Sequence, residues 1–288
     1  MSKHGSGRVR YLLDWLGLVR IGNTIIIGFS SFVGLVVGNH GFSGNYDLLD
    51  LALVVIVPAF VGAGGNIVND YFDRYVDAIN KPWRPIPSGR ISARTAFIVS
   101  LSLMSVGVSL SLLLNPYCLL VALLAAVLLF EYSRWLKKTG FPGNIVIGLL
   151  SFLSIFFGGL ASPDPIASLL PGLYAFLIIL GREIFKGIED LEGDRRYGVR
   201  TLAVSKGPRA AFFSGSLLLL LVVAISPIPY LTLDYNAYYL VTALAGVDIP
   251  VLVSVIMVAR GYENAWRATR VLKIPLFMGL LAFLVGVV

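Results

Sequence analysis

Asp70, Asp73 and Asp77 recur at steps of three and four in one stretch of the chain, and Asp190 and Asp194 stand four apart in another. At about 100° per residue, Asn66, Asp70, Asp73 and Asp77 fall within a helical arc of about 60°, with Asn69 at its border. Carboxylates stacked this way repel one another, and at the end of a membrane span they need cations to neutralise them. In the second stretch Lys186, Asp190 and Asp194 share one helical face, flanked by Arg182 and Glu183. No thiol or imidazole accompanies either set: the two histidines are His4 and His40, and the single cysteine is Cys118. Oxygen-only ligation suits a hard cation, best Mg2+, which takes one or two carboxylates together with water and phosphate oxygens. Two such helices facing one another would hold a diphosphate between them through two bridging ions. The plainer reading is a pair of solvated helix ends whose carboxylates pair with neighbouring Arg and Lys. It covers either motif alone better than both together.

The elements that must position these groups are membrane helices. The 288 residues are 57% hydrophobic and 14% charged, with a mean hydropathy of +0.84. A soluble domain carries about 25% charged residues. Apolar runs long enough for a ~30 Å hydrocarbon core recur throughout, near 15–37, 49–72, 93–114, 117–134, 144–161, 167–188, 210–227, 236–258 and 270–288. The pattern predicts an all-α membrane protein, about nine transmembrane helices in one bundle around a central cavity open to the cytoplasmic side and to lipid. Residues 1–288 then form a single domain. Met1–Arg10 is polar and basic, and the apolar run after it lacks a small-residue cleavage site, so it reads as a retained first helix.

The net charge of +7 raises nucleic acid as a partner, and its distribution argues against it. Lys and Arg gather in five groups: Lys3 to Arg20, Arg74 to Arg94, Arg134 to Lys138, Arg182 to Arg209 and Arg260 to Lys273. The alternate loops, around Gly38–Asp47, Asn115, Ser162–Ile166 and Ser226–Tyr235, carry none. This positive-inside pattern predicts a cytoplasmic N-terminus and an active site on the cytoplasmic side. No disulfide framework and no cysteine metal site fit a lone Cys118.

The string Asn69-Asp70-Tyr71-Phe72-Asp73-Arg74-Tyr75-Val76-Asp77, followed by Arg84-Pro85-Ile86-Pro87-Ser88-Gly89-Arg90, resembles the first signature of the UbiA superfamily of intramembrane prenyltransferases. Asp190-Leu191-Glu192-Gly193-Asp194 through Thr201-Leu202-Ala203 is similar to the second. Arg20 with Asn23, Tyr132 with Lys137, and Gly143-Asn144 agree in order and place. Tyr132 and Lys137 are five apart where many members have four, about 140° on a helix. Lys81-Pro82 before Arg84, and Gly181-Arg182-Glu183 before Lys186, are most like the archaeal ether-lipid branch. The resemblance implies a prenyl diphosphate donor, geranylgeranyl diphosphate, and a lipid acceptor, geranylgeranylglyceryl phosphate. An aromatic acid of the 4-hydroxybenzoate type is the alternative acceptor.

Under that resemblance Asp70, Asp73, Asp77 and Asn69 hold one Mg2+, and Asp190 and Asp194 another. Ionisation of the allylic C–O bond follows, in a cavity from which membrane helices exclude water. Tyr71, Phe72, Tyr132 or Tyr174 would stabilise the cation, at about 1–2 kcal/mol per ring. Arg84, Arg90, Lys137 and Lys186 are candidates for phosphate contact, and Arg20, Asn23, Asn66 and Asn69 for other substrate contacts. For the cationic ones the plainer reading is ordinary positive-inside charge. Asp248, two residues before Pro250 at membrane depth, reads as a satisfied structural group. A transporter is the competing class, but its charges would sit near the midplane of broken helices. A membrane scaffold leaves the aspartate spacing unexplained.

Overall fold

The computed structural model describes residues 3–42 and 46–287. Among them, nine segments are long and apolar enough to cross a membrane, and the regular structure is helical. The chain divides into two compact units.

The first unit takes the chain up to Phe29 together with Asp47–Arg134. It holds α1 (Lys3–Val19), the first half of α2 (Ile21–Gly38), α3 (Leu48–Asn80), α4 (Ala93–Ser111) and α5 (Pro116–Arg134). The first helix expected from 15 to 37 is in fact two elements, broken at Arg20, whose φ of 51° is left-handed. That conformation costs an L-residue about 1–2 kcal/mol. The break leaves the Val19 carbonyl without a helical partner, and it accepts instead from Thr24 Oγ1 at 2.7 Å and Asn66 Nδ2 at 2.9 Å. Asp47 caps α3 by accepting from the Leu49 amide at 3.1 Å. With 33 residues, α3 is about 50 Å long, well beyond a ~30 Å hydrocarbon core. The first aspartate motif occupies its last turns. Val61 and Val68 of α3 pack on Met104 of α4 and Ala126 of α5. A second cluster, Leu18, Ile67, Ile86, Ile91 and Ala96, ties α1 and the loop after α3 to the same core.

The second unit runs through Ser30–Tyr46 and from Trp135 onward. It comprises the second half of α2, α6 (Phe141–Leu160), α7 (Leu169–Glu189), α8 (Leu191–Tyr197), α9 (Leu202–Lys206), α10 (Pro208–Ile225), α11 (Ile228–Thr232), α12 (Ala237–Ala243), α13 (Ile249–Arg260), α14 (Ala265–Val271) and α15 (Lys273–Gly286). Lipid tails are as apolar as leucine, so helices in a bilayer associate through close van der Waals contact. The α2–α6 crossing does this at glycine: a Cβ on Gly158 would overlap the Ser31 carbonyl, and one on Gly34 the Ile155 carbonyl. The span expected from 236 to 258 contains a π turn, Leu244–Asp248, between α12 and α13. Pro250 accounts for it, because proline cannot donate to the carbonyl four residues back. The last span begins earlier than the expected 270 and bends at Leu272, with Pro275 in the first turn of α15.

Candidate functional site

The first aspartate motif is built around two arginines. Asp70 and Asp77 are only 6% and 5% exposed. Asp70 Oδ1 accepts from Arg20 at 2.8 Å and from Arg84 at 3.2 Å, and Asp77 Oδ2 accepts from Arg84 at 2.7 Å. Arg84 reaches them because its loop folds back on α3. Ile86 and Ile91 are buried in the core, the Ile91 amide donates to the Pro85 carbonyl, and Gly89 turns with a φ of 75°. Asp73, half-buried, accepts from Asn69 Nδ2 at 3.2 Å.

Guanidinium groups thus already balance Asp70 and Asp77. Among the described residues no three His, Cys, Asp or Glu side chains converge as a preformed cage. The donor set still fits a hard cation. Asp70 takes both arginine bonds on Oδ1 and Asp77 takes its bond on Oδ2, so each keeps a second oxygen outside those bonds. Mg2+ needs only one or two carboxylates when phosphate and water complete its shell.

Arg90, a candidate for phosphate contact, grips Asp14 of α1 with two bonds, at 2.8 and 2.9 Å, and donates to the Trp83 carbonyl. The Arg90 guanidinium holds the Asp14 carboxyl below the usual carboxylate range. The Asn66 side-chain amide donates to the Val19 carbonyl. Tyr71 already carries a cation, with Arg74 over both its ring and that of Tyr75 at 4.3 Å. Phe72 belongs to an aromatic cluster with Tyr71 and Phe130. Asn23 is exposed near the start of α2.

The second motif lies where α7 stops and α8 begins. Asp190 is the joint, its amide donating to Lys186 at 2.9 Å, and the Asp194 amide donates to Asp190 at 2.8 Å, so the four-residue register runs through the break. Lys186 and Asp190 are exposed and Asp194 half-buried. Burial, then the negative charge of Asp190, pushes the Asp194 carboxyl up to about 6, against a hydrogen bond from Thr201 and the charge of Lys186. Thr201 is the cap of α9, accepting from the Val204 amide, and Gly140 fixes the approach to it. Gly140 has a φ of 75°, and a Cβ there would overlap the Arg200 carbonyl. The flanking groups are spoken for: Arg182 pairs with Glu183 at 2.6 Å and donates to the Thr269 carbonyl, while Thr269 donates to Glu189 at 2.7 Å.

Tyr132 and Lys137 do not share a helix, because α5 ends at Arg134 and Lys137 lies half-buried in a 3-10 turn, Leu136–Thr139. Tyr174 lies 16 residues before Asp190, about 24 Å along α7, and its hydroxyl donates to the Ile225 carbonyl. Asp248 is buried against Ser226, Oδ2 to Oγ at 2.7 Å. Sequence reasoning missed Asp14, whose signal was a lone carboxylate among the apolar residues of α1, and the part Thr201 takes beside Asp194.

Residues 27–281 match the model of the UbiA prenyltransferase family. A digeranylgeranylglyceryl phosphate synthase from Hyperthermus butylicus is 39% identical over 97% of this chain and 98% of its own. A solved digeranylgeranylglyceryl phosphate synthase superposes with a TM-score of 0.81 at 34% identity, over 96% of this chain and 99% of that one. A UbiA homolog from Archaeoglobus fulgidus, solved with GPP and Mg2+, superposes with a TM-score of 0.65 at 19% identity, over 94% and 99%, a likeness of fold.

Proposed function

Because this chain belongs to the UbiA prenyltransferase family, we propose that it transfers a geranylgeranyl group from its diphosphate to the free hydroxyl of geranylgeranylglyceryl phosphate, an ether-forming step of archaeal lipid synthesis. The observation that carries this reading is the synthase relative matched at 39% identity over nearly the whole of both chains. The two aspartate motifs support it with oxygen donors of the kind a metal-bound diphosphate needs.

In this reading Asp70, Asp73, Asp77 and Asn69 are the ligands for one Mg2+, and Asp190 and Asp194 for a second. Bound there, the ions would supply charge neutralisation to the departing diphosphate. Arg84 and Arg20 exchange carboxylate for phosphate oxygens, which suits the planar guanidinium better than a lysine. Lys186 and Lys137 offer point charges to the remaining phosphates. The apolar spans keep water from the allylic cation, and Tyr132 is the ring we assign to facing it. The acceptor's proton passes to a motif carboxylate or to the released diphosphate. The N-terminus and the motifs face the cytoplasm, as the placement of Lys and Arg supports.

A product assay tests the substrate pair. Purified protein receives geranylgeranyl diphosphate, with geranylgeranylglyceryl phosphate and 4-hydroxybenzoate in competition, with Mg2+ or with chelator. The diether lipid is the expected product, formed only with the metal. Prenylated 4-hydroxybenzoate as the main product would replace the acceptor assignment, and solute flux in vesicles without pyrophosphate release would replace the enzyme.

A further inference from the structure

Helix α1 lies outside the nine membrane-spanning segments, yet it turns apolar side chains outward. Val9, Leu12 and Leu13 are 60%, 59% and 60% exposed, and Leu16 is also exposed. At about 100° per residue these four share an arc of about 100°. The opposite side of the helix is docked. Leu18 is buried and Trp15 packs with it against Ile67, Ile86, Ile91 and Ala96, and Asp14 is held by Arg90. Fixed on that side, α1 is unable to roll its apolar stripe out of water. The stripe also has a continuation. Beyond the break at Arg20 come Ile21, Ile25 and Ile26, all exposed, on the membrane-spanning α2. Apolar exposure that begins on a spanning helix and resumes on α1 across the break has one natural occupant.

We infer that α1 lies in the plane of the membrane surface, its Val9–Leu12–Leu13–Leu16 stripe seated at the boundary between headgroups and acyl chains. Arg10, exposed on the flank of the stripe, stands at headgroup height, and Lys3 and Arg8 add positive charge to the same segment. This combination of an apolar stripe and basic flanks binds anionic lipid surfaces. The protein's grip on the bilayer thus includes a lateral float beside its spans, joined to them at Arg20, the residue that also holds Asp70. The inference is independent of which acceptor the enzyme uses.

Environment-sensitive fluorophores on single cysteines test it, in the full chain carrying Cys118→Ala. Leu12→Cys and Leu13→Cys are labelled, with Arg10→Cys for comparison. The protein is placed in vesicles of phosphatidylcholine and phosphatidylglycerol in equal parts, with nitroxide lipids bearing the spin label near the headgroup or near the chain end. At 12 and 13 the emission shifts to the blue, and the shallow nitroxide quenches about twofold more than the deep one, as a seat in the interfacial layer requires; at 10 the emission stays close to that in water. Water-like emission at 12 and 13 would overturn the inference. So would a blue shift that no lipid nitroxide quenches, which would mark a protein partner, or stronger quenching by the deep label, which would mark a span. Val9→Cys and Leu16→Cys give the same readout if either first position disturbs the fold.

Discussion

Replacing Arg84 by alanine leaves Asp77 without its guanidinium and Asp70 with Arg20 alone, both carboxylates being almost fully buried. Breaking a buried pair from one side costs about 3 kcal/mol, so the Tm of Arg84→Ala in detergent falls. Mg2+ restores more of it than it adds to the wild type; an equal metal response in both proteins would separate Arg84 from the cation site. Asp73→Ala and Asp190→Ala abolish turnover while membrane insertion persists, and wild-type activity in either variant would count against the assigned ligands. Asp194 carries a sign that can be worked out. Its folded carboxyl titrates at about 6, above the ordinary 3.8. Between those values the folded chain keeps a proton the unfolded chain has lost, so the stability of the metal-free protein decreases as pH rises through that window. Mg2+ has to displace that proton, so its apparent affinity increases from about pH 5 to about pH 7, and Asp194→Asn flattens the increase. At this scale the aspartates and their spacing were legible, because helical period alone aligns them. Their arginine partners were only half legible. Arg20 and Arg84 were recognisable as cations near the site, but nothing in local spacing says that Arg84 turns to Asp77 while Arg90 turns to Asp14, 76 positions away in the chain.

Among the elements, the α2–α6 crossing is the contact most sensitive to a single methyl group. Gly158→Ala puts a Cβ into the Ser31 carbonyl, so the two helices must separate and lose their close packing. A lowered Tm and poorer recovery from membranes are expected. Gly193→Ala is the control. Its Cβ meets nothing within 4 Å, and in α8 it gains about 0.5–1 kcal/mol through the restricted unfolded chain; equal destabilisation by both substitutions would refute the packing account. Long apolar stretches made the spans readable to within a few residues. The interruptions were harder. A helix broken at Arg20 has no glycine at the left-handed position, and its carbonyl is rescued by Thr24 and Asn66, contacts invisible to a periodicity search. The π turn ending at Asp248 and the bend at Leu272 each precede a proline that was in plain view, Pro250 and Pro275, though a proline alone does not say which way a helix yields.

For the whole molecule, the five basic groups predict one orientation in the bilayer. The buried Cys118 stays silent, so single added cysteines report the side they face. Ser88→Cys, in the basic loop after α3, is reached by a membrane-impermeant maleimide only in inverted vesicles, and Ile166→Cys, exposed before α7, only in intact cells. The reverse pattern would turn the topology over. The guanidinium partners of Asp70 and Asp77 have a consequence at this scale too. A chain whose carboxylates depend on a divalent ion for neutrality comes apart when chelated. Here Asp70 and Asp77 have internal counter-ions, so the expected outcome of chelation is lost turnover in an intact, reloadable membrane protein, and unfolding on chelation would refute it. With the ligands proposed above, loading would be a swap of one set of partners for another between two electrically balanced conditions, which would keep the free-energy difference small and let spent diphosphate depart.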